Sequence, residues 1–232
     1  MNTKRDHEYK NSLSKKRFFL KSRIGFLEVL CVILSYKSQS FKRIIMAATP
    51  SNMMPLGTIA PDFTLPNTVT GETVTLQSLK SDIATVIMFV CNHCPYVKHL
   101  QTEIVKIANE YQAKGASFIA INSNDVDNYP DDSPDKMKEE AEKAGYTFAY
   151  LYDESQNVAK AYQAACTPDF YVFDKELKCV YRGRFDGATP KNNVPVTGEE
   201  LQGALDAILV GQPVNSDQKA SIGCNIKWKP VA

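Results

Sequence analysis

Two cysteines three positions apart, Cys91 and Cys94, fall at the junction between an apolar run and a helical pattern. The run, Ala84 to Val90, is continuous and rich in β-branched residues, which predicts a strand buried on both faces of a parallel sheet. Beyond the cysteines, Val97, Leu100, Ile104, Ile107, Ala108 and Tyr111 recur at helical spacing until Lys114-Gly115 ends the pattern. Pro95 suits the first helical position, where a backbone N–H would lack a partner anyway. The pair therefore sits where a strand ends and a helix begins. Unpaired N–H groups and the positive end of the helix dipole stabilise a thiolate there. Two thiols at this spacing can also close into a small disulfide, so the arrangement points to redox chemistry. A C-x-x-C can instead be half of a zinc site, and His99 lies close in sequence. Zinc usually takes a second ligand pair, and no second C-x-x-C accompanies this one, so neither a metal nor a cofactor is expected. Inert packing fits poorly with the polar Asn92-His93 insert.

At 232 residues the chain suits one domain with extensions. A formal charge of +1 hides an asymmetry: residues 1–45 carry 11 Lys/Arg against 3 Asp/Glu, whereas the rest is net −7. An acidic body argues against a nucleic-acid partner. The basic leader imitates an export signal, with Lys15-Lys16-Arg17 ahead of an apolar stretch from Ile24 to Tyr36. Glu28 interrupts that stretch, and Lys37, Lys42 and Arg43 follow it where a cleavage region belongs. It is also too short to span a bilayer unaided, and Met46-Ala47-Ala48-Thr49 looks like a fresh translation start. Residues 1–50 are therefore expected to be a disordered or spurious basic leader, residues 56–212 the folded domain, and residues 213–232 a tail. Without a convincing export signal the expected compartment is the cytoplasm, with no membrane partner for the folded part. In such a reducing setting a C-x-x-C is more often catalytic than structural.

Along the chain, residues 46–60 read as linker, and 61–65 with 73–76 as a β-hairpin turning near Thr70-Gly71. Ala116 to Ile121 predicts a second buried strand, giving a right-handed β-α-β unit. Asn122 to Asp132 is a polar loop at that strand's carboxyl end, the side where α/β crevices form. Ser133-Pro134 opens a helix that Gly145 ends, Phe148 to Tyr152 reads as a short strand, and Asp153 caps a helix through Tyr162. Phe170 to Phe173 and Leu177 to Arg182 form a hairpin, and Thr197-Gly198-Glu199-Glu200 is a capping box opening a helix that Gly211 stops. After Pro213 no period is visible.

Cys166-Thr167-Pro168-Asp169 stands immediately before a strand, a harmless place for a proline. Together with the order of elements it resembles the thioredoxin superfamily, nearest its peroxiredoxin-like, AhpC/TSA-type branch, over roughly Gly57 to Gly211. Ala60-Pro61-Asp62-Phe63 and Tyr150-Leu151-Tyr152-Asp153 resemble segments of that branch, and Ser221 to Trp228 resembles the end of a group of little-characterised peroxiredoxin-like proteins. The resemblance implies an α/β, thioredoxin-like fold: a central mixed sheet flanked by helices, with an N-terminal β-hairpin and a peroxiredoxin-like insertion. It also implies a cis Thr167-Pro168 bond facing the C-x-x-C, its backbone accepting an extended substrate segment. Two departures stand out. Peroxiredoxins place a threonine three residues before the peroxidatic cysteine, which would be Cys94, and Cys91 takes that place; Val90 stands where thioredoxins have tryptophan.

The expected mechanism has Cys91, nearer the helix mouth and more exposed, attacking a substrate disulfide. Cys94, more covered, resolves the mixed disulfide, and His93 helps stabilise the thiolate. Cys224 is either a third redox thiol or a packed tail anchor. Cys166 and Cys179 are expected to be packing residues, Cys31 to have no role, and His99 and His7 to lie at the surface. The leading function is a thiol–disulfide oxidoreductase acting on protein disulfides and recharged by an external dithiol. The alternatives are a thiol peroxidase with an antioxidant role, and a non-catalytic thioredoxin-like module that senses redox state or binds a partner.

Overall fold

The computed structural model describes residues 48–230. The basic leader up to residue 47, with Cys31 and His7, lies outside the described residues. In chain order come β1 (Ala48–Pro50), the hairpin β2 (Thr64–Pro66) and β3 (Thr73–Thr75), and the short helix α1 (Leu76–Leu79). Then follow β4 (Ala84–Phe89), α2 (Pro95–Ala113), β5 (Ser117–Asn122), a 3-10 turn at Pro130–Asp132, α3 (Pro134–Ala144) and β6 (Ala149–Tyr152). The remaining elements are α4 (Asn157–Ala161), β7 (Cys166–Thr167), β8 (Asp169–Asp174), β9 (Cys179–Gly183), α5 (Glu199–Leu209) and β10 (Ile222–Asn225).

The central sheet runs β6-β5-β4-β8-β9. Its first three strands are parallel, and β8 and β9 join antiparallel, giving the mixed sheet that the family resemblance implied. All six residues of β4 are buried, because side chains alternate into two separate cores. Val86 and Met88 pack with the apolar stripe of α2 and with Leu201 and Leu205 of α5. Ile87 and Phe89 face the other way, toward Met54, Phe63, Tyr162 and Phe173. There Phe89 meets Tyr162 and Tyr171 with ring centroids 5.6 and 5.9 Å apart. The buried face of α2 is the one its spacing predicts, Val97, Leu100, Ile104, Ile107, Ala108 and Tyr111. Among the described residues no helix is long and apolar enough to cross a membrane.

Local chemistry departs from the sequence reading at several helix ends. Ser133 is the N-cap of α3 but its hydroxyl makes no capping hydrogen bond, while Gly145 does end the helix, at φ 73°. The cap of α5 is Gly198, and Thr197 does not close a capping box. Instead Asp186, from the loop after β9, accepts the Thr197 and Gly198 N–H groups, both at 2.7 Å. Asp153 starts no helix of its own; buried, it accepts the Ser123 hydroxyl and the Ala159 N–H, and α4 begins only at Asn157.

The larger departure is at the two ends. The linker contributes β1 and the tail contributes β10, which pair with each other and with β7 in the order β1-β10-β7. The tail is held further by Ile226 N–H to Ala165 O at 3.1 Å and Lys227 N–H to Asn124 Oδ1 at 2.8 Å. This closure buries the loop read as merely polar, Asn122 to Asp125, beneath the Lys227 backbone.

Two expectations follow for stability. A chain beginning at Ser51 lacks β1, whereas one beginning at Met46 keeps it. Losing a few backbone hydrogen bonds, each worth about 1 kcal/mol net, should lower the melting temperature of the shorter chain by roughly 5 °C. Equal melting of the two would show that β1 contributes nothing. The second concerns Asp169, the first residue of β8, which is buried and accepts the Tyr171 hydroxyl at 3.0 Å. Burial pushes its carboxyl up to about 7. A carboxyl with a raised folded-state pKa costs stability as pH rises from its unfolded value, near 4, through 7, by at most about 4 kcal/mol. Asp169→Asn should therefore lose less stability than the parent between pH 4 and 8 in denaturant titrations; an unchanged pH slope would show that Asp169 is not titrating there.

Candidate functional site

The site grows out of the end of β4. Past Phe89, the Val90 N–H still reaches Ile121 O at 3.0 Å, and Cys91-Asn92-His93 then turn the chain into α2. Cys94 is the N-cap of that helix and Pro95 its first residue. This corrects the expectation that Cys91 stands nearest the helix mouth, for the helix starts one residue after Cys94. Nor is Cys91 exposed: Cys91 is 2% and Cys94 0% accessible.

Across from the pair, the Thr167-Pro168 peptide is cis, as the resemblance implied. Cys91 Sγ lies 3.4 Å from Thr167 Oγ1, and Cys94 Sγ lies 3.1 Å from the Thr167 carbonyl oxygen. Thr167 and Pro168, expected to receive an extended substrate segment, are already covered on this edge. β10 pairs antiparallel with β7, Cys224 opposite Thr167. Cys224, buried, brings its sulfur to 2.8 Å from Cys94 Sγ. The structure therefore gathers three sulfurs around Thr167, with Cys94 in the middle.

That position decides where charge rests. When Cys94 holds its proton, the S–H points to the Thr167 carbonyl. When it is ionised, the Cys224 thiol and then the Cys91 thiol donate to it, and the Val97 N–H on the first helical turn adds to them, holding Cys94 far below the ordinary thiol range. Cys91 moves the other way: its hydrogen bond to Cys94, its burial and the nearby Asp132 carboxylate all raise it. Cys224 is raised by the same bond to Cys94 and by burial. The hydrogen bonds within the cluster thus favour charge on Cys94 over Cys91, against the expected preference.

His93 does not touch either sulfur within hydrogen-bond reach among the described contacts. Its Nδ1 lies 2.6 Å from Asp132 Oδ2, and its ring stacks on Tyr129 with centroids 5.5 Å apart. Asp132 is fully buried and also accepts the Asn92 N–H at 2.7 Å and the Asn124 amide at 2.8 Å. Burial would raise its carboxyl, yet His93 and Asn124 outweigh burial and hold it low. The Tyr150 hydroxyl, donating to Asn92 Oδ1 at 2.9 Å, fixes the middle of the turn. Among the described residues, ligating atoms of Cys91, His93 and Asp132 lie within 4.8 Å of one another, so these three, rather than a set including His99, are the group that could share a cation. Beside His93 a cleft of about 310 Å³, lined also by Asn92, Asp131, Lys136 and Glu139, opens to solvent; neither cysteine lines it.

The site roles of Asp132, Asn92 and Tyr150 were not evident from the sequence. The available signal was the position of the 122–132 loop at the carboxyl end of β5; nothing in its composition singled out Asp132. Cys166 and Cys179 are buried, and burial raises both thiols, consistent with packing roles. His99 is half-buried on α2.

Residues 56–182 match the model of the AhpC/TSA family. No curated protein matches the chain. Among solved structures, an uncharacterized conserved protein from Geobacillus kaustophilus is 62% identical, with a TM-score of 0.80 over 81% of this chain and 99% of that one. A hypothetical protein from Sinorhizobium meliloti 1021 is 45% identical, with a TM-score of 0.77 over 79% and 100%. Peroxidoxin BcpB from Mycobacterium tuberculosis, 20% identical, has a TM-score of 0.51 over 68% and 97%, a likeness of fold alone. On this thioredoxin-like fold, the chain belongs to the AhpC/TSA family.

Proposed function

We propose that the chain is a thiol–disulfide oxidoreductase that works through a Cys91–Cys94 dithiol/disulfide couple on protein disulfides. The observation that carries the reading is the meeting of both sulfurs at Thr167, next to the cis bond. The cluster favours charge on Cys94, but Cys91 is its hydrogen-bonded neighbour and lies close to His93, which lines the cleft. A proton passing from Cys91 to Cys94 moves the charge to the sulfur that an incoming disulfide meets first. Cys91 then attacks one substrate sulfur, and the other leaves as a thiolate and takes up a proton. Cys94, giving up its proton again, attacks Cys91 Sγ, releases the second substrate thiol and leaves a Cys91–Cys94 disulfide. Two electrons have passed to the substrate, and an external dithiol returns them. His93, held by Asp132, borders Cys91 and orients the turn, acting as a positioning residue. The setting in which this couple is proposed to work is a reducing, cytoplasmic one, where a C-x-x-C is more often catalytic than structural.

A second reading has its own support. With the lowest thiol on Cys94, flanked by two further thiols, peroxide could oxidise Cys94 to a sulfenic acid that a neighbour then condenses with, making the chain a thiol peroxidase.

Two variants separate the readings. Cys94→Ser removes the largest influence raising Cys91, so Cys91 should become more nucleophilic and accumulate a mixed disulfide with protein substrates. Cys91→Ser should trap none, and both variants should lose reduction of insulin by dithiothreitol at least ten-fold. Rapid peroxide consumption by Cys91→Ser, with no complex trapped by Cys94→Ser, would favour the peroxidase and end the exchange reading.

A further inference from the structure

The tail strand is built to deliver one sulfur. Ser221 donates its hydroxyl to Gly183 O at 2.6 Å before the cysteine, and Ile226 and Lys227 are tied to Ala165 and Asn124 after it. Between them Gly223 lies so close to β7 that a Cβ there would meet the Thr167 carbonyl oxygen at 2.0 Å and its carbon at 2.6 Å. Only glycine permits that approach, and the approach sets Cys224 opposite Thr167, with its sulfur 2.8 Å from Cys94. An extended segment carrying a cysteine is thus already seated on the edge of Thr167, antiparallel to it, and it belongs to this chain.

We propose that Cys224 is a third redox sulfur, and that β10 acts as the chain's own substrate strand, moving the disulfide from Cys91–Cys94 to Cys94–Cys224. The proposal rests on the exchange reading above for the source of the first disulfide. In the step, Cys224 loses its proton and its sulfur attacks Cys94 Sγ. The Cys94–Cys224 bond forms, the Cys91–Cys94 bond breaks, and Cys91 leaves as a thiolate that takes up the proton. No outside oxidant or reductant is consumed, because one disulfide replaces another. Cys91, the sulfur close to His93, is returned to the thiol form while the chain stays oxidised and the tail becomes covalently fastened over Thr167. A foreign protein segment can then pair with Thr167 only after an external dithiol has reduced Cys94–Cys224 and β10 has left its edge.

The test is disulfide mapping of the full chain. Reduced protein is oxidised with limiting diamide, quenched in acid, alkylated and digested. The parent should yield a Cys94–Cys224 peptide pair with Cys91 alkylated in the same population. Cys91→Ser should still form Cys94–Cys224, and Cys224→Ser should form only Cys91–Cys94. Gly223→Ala, which keeps every cysteine but pushes β10 from Thr167, should reduce the Cys94–Cys224 share at least five-fold in favour of Cys91–Cys94. If Cys91→Ser leaves both Cys94 and Cys224 alkylated while the parent forms Cys91–Cys94, the transfer is refuted. Substrate trapping by Cys94→Ser reads the exchange function separately: a trap without any Cys94–Cys224 bond overturns the transfer alone. A Cys94–Cys224 bond without a trap supports the internal pair and removes the exchange function instead.

Discussion

The contact between Gly223 and the Thr167 carbonyl constrains the rest of this site. It brings two backbones closer than any side chain would allow, and so places β10 on the edge that a thioredoxin-like fold leaves beside its cis-proline. From that one approach follow the third sulfur beside Cys94 and the covering of Thr167. The central sheet supplies the platform. β4, apolar on both faces, is gripped by two cores, so its carboxyl end is a fixed point from which the cysteine turn leaves.

Charge then arranges itself within a fixed cluster. The sulfur of Cys94, set between two thiols, accepts hydrogen bonds from both of them as the anion, and its neighbours gain by keeping their protons. The Asp132 carboxylate, tied to His93, Asn92 and Asn124, opposes a second negative charge on Cys91. The dithiol is therefore asymmetric in the sense opposite to the one that distance along the chain suggests. In the proposed exchange, a proton passes from Cys91 to Cys94 before Cys91 attacks.

The parts of the fold set by periodicity were legible in the sequence. The doubly buried β4, the stripe on α2 and the strand-to-helix setting of the C-x-x-C could be read from residues 84–111 alone, and the cis Thr167-Pro168 from a family resemblance. What was not legible depended on partners far away in the chain. β1 and β10 are three and four residues long, too short for a period, and pair across more than 170 positions. Asp132 looked like one more acidic residue in a polar loop until the Lys227 backbone closed over that loop. The direction of the thiol shifts was hidden for a related reason: it depends on Cys224, whose nearness no local pattern announces. The capping box at Thr197 failed because Asp186, a dozen residues earlier, satisfies the same N–H groups.

The claim on which the account turns is that three sulfurs share one negative charge, centred on Cys94. Carbon-13 shifts of the cysteine β-carbons, followed with pH in the reduced protein, report each thiol separately. The account predicts that Cys94 ionises well below the free-thiol value of roughly 8.5, while Cys91 and Cys224 stay protonated above it. Titration of Cys91 first, with Cys94 still carrying its proton, would contradict it.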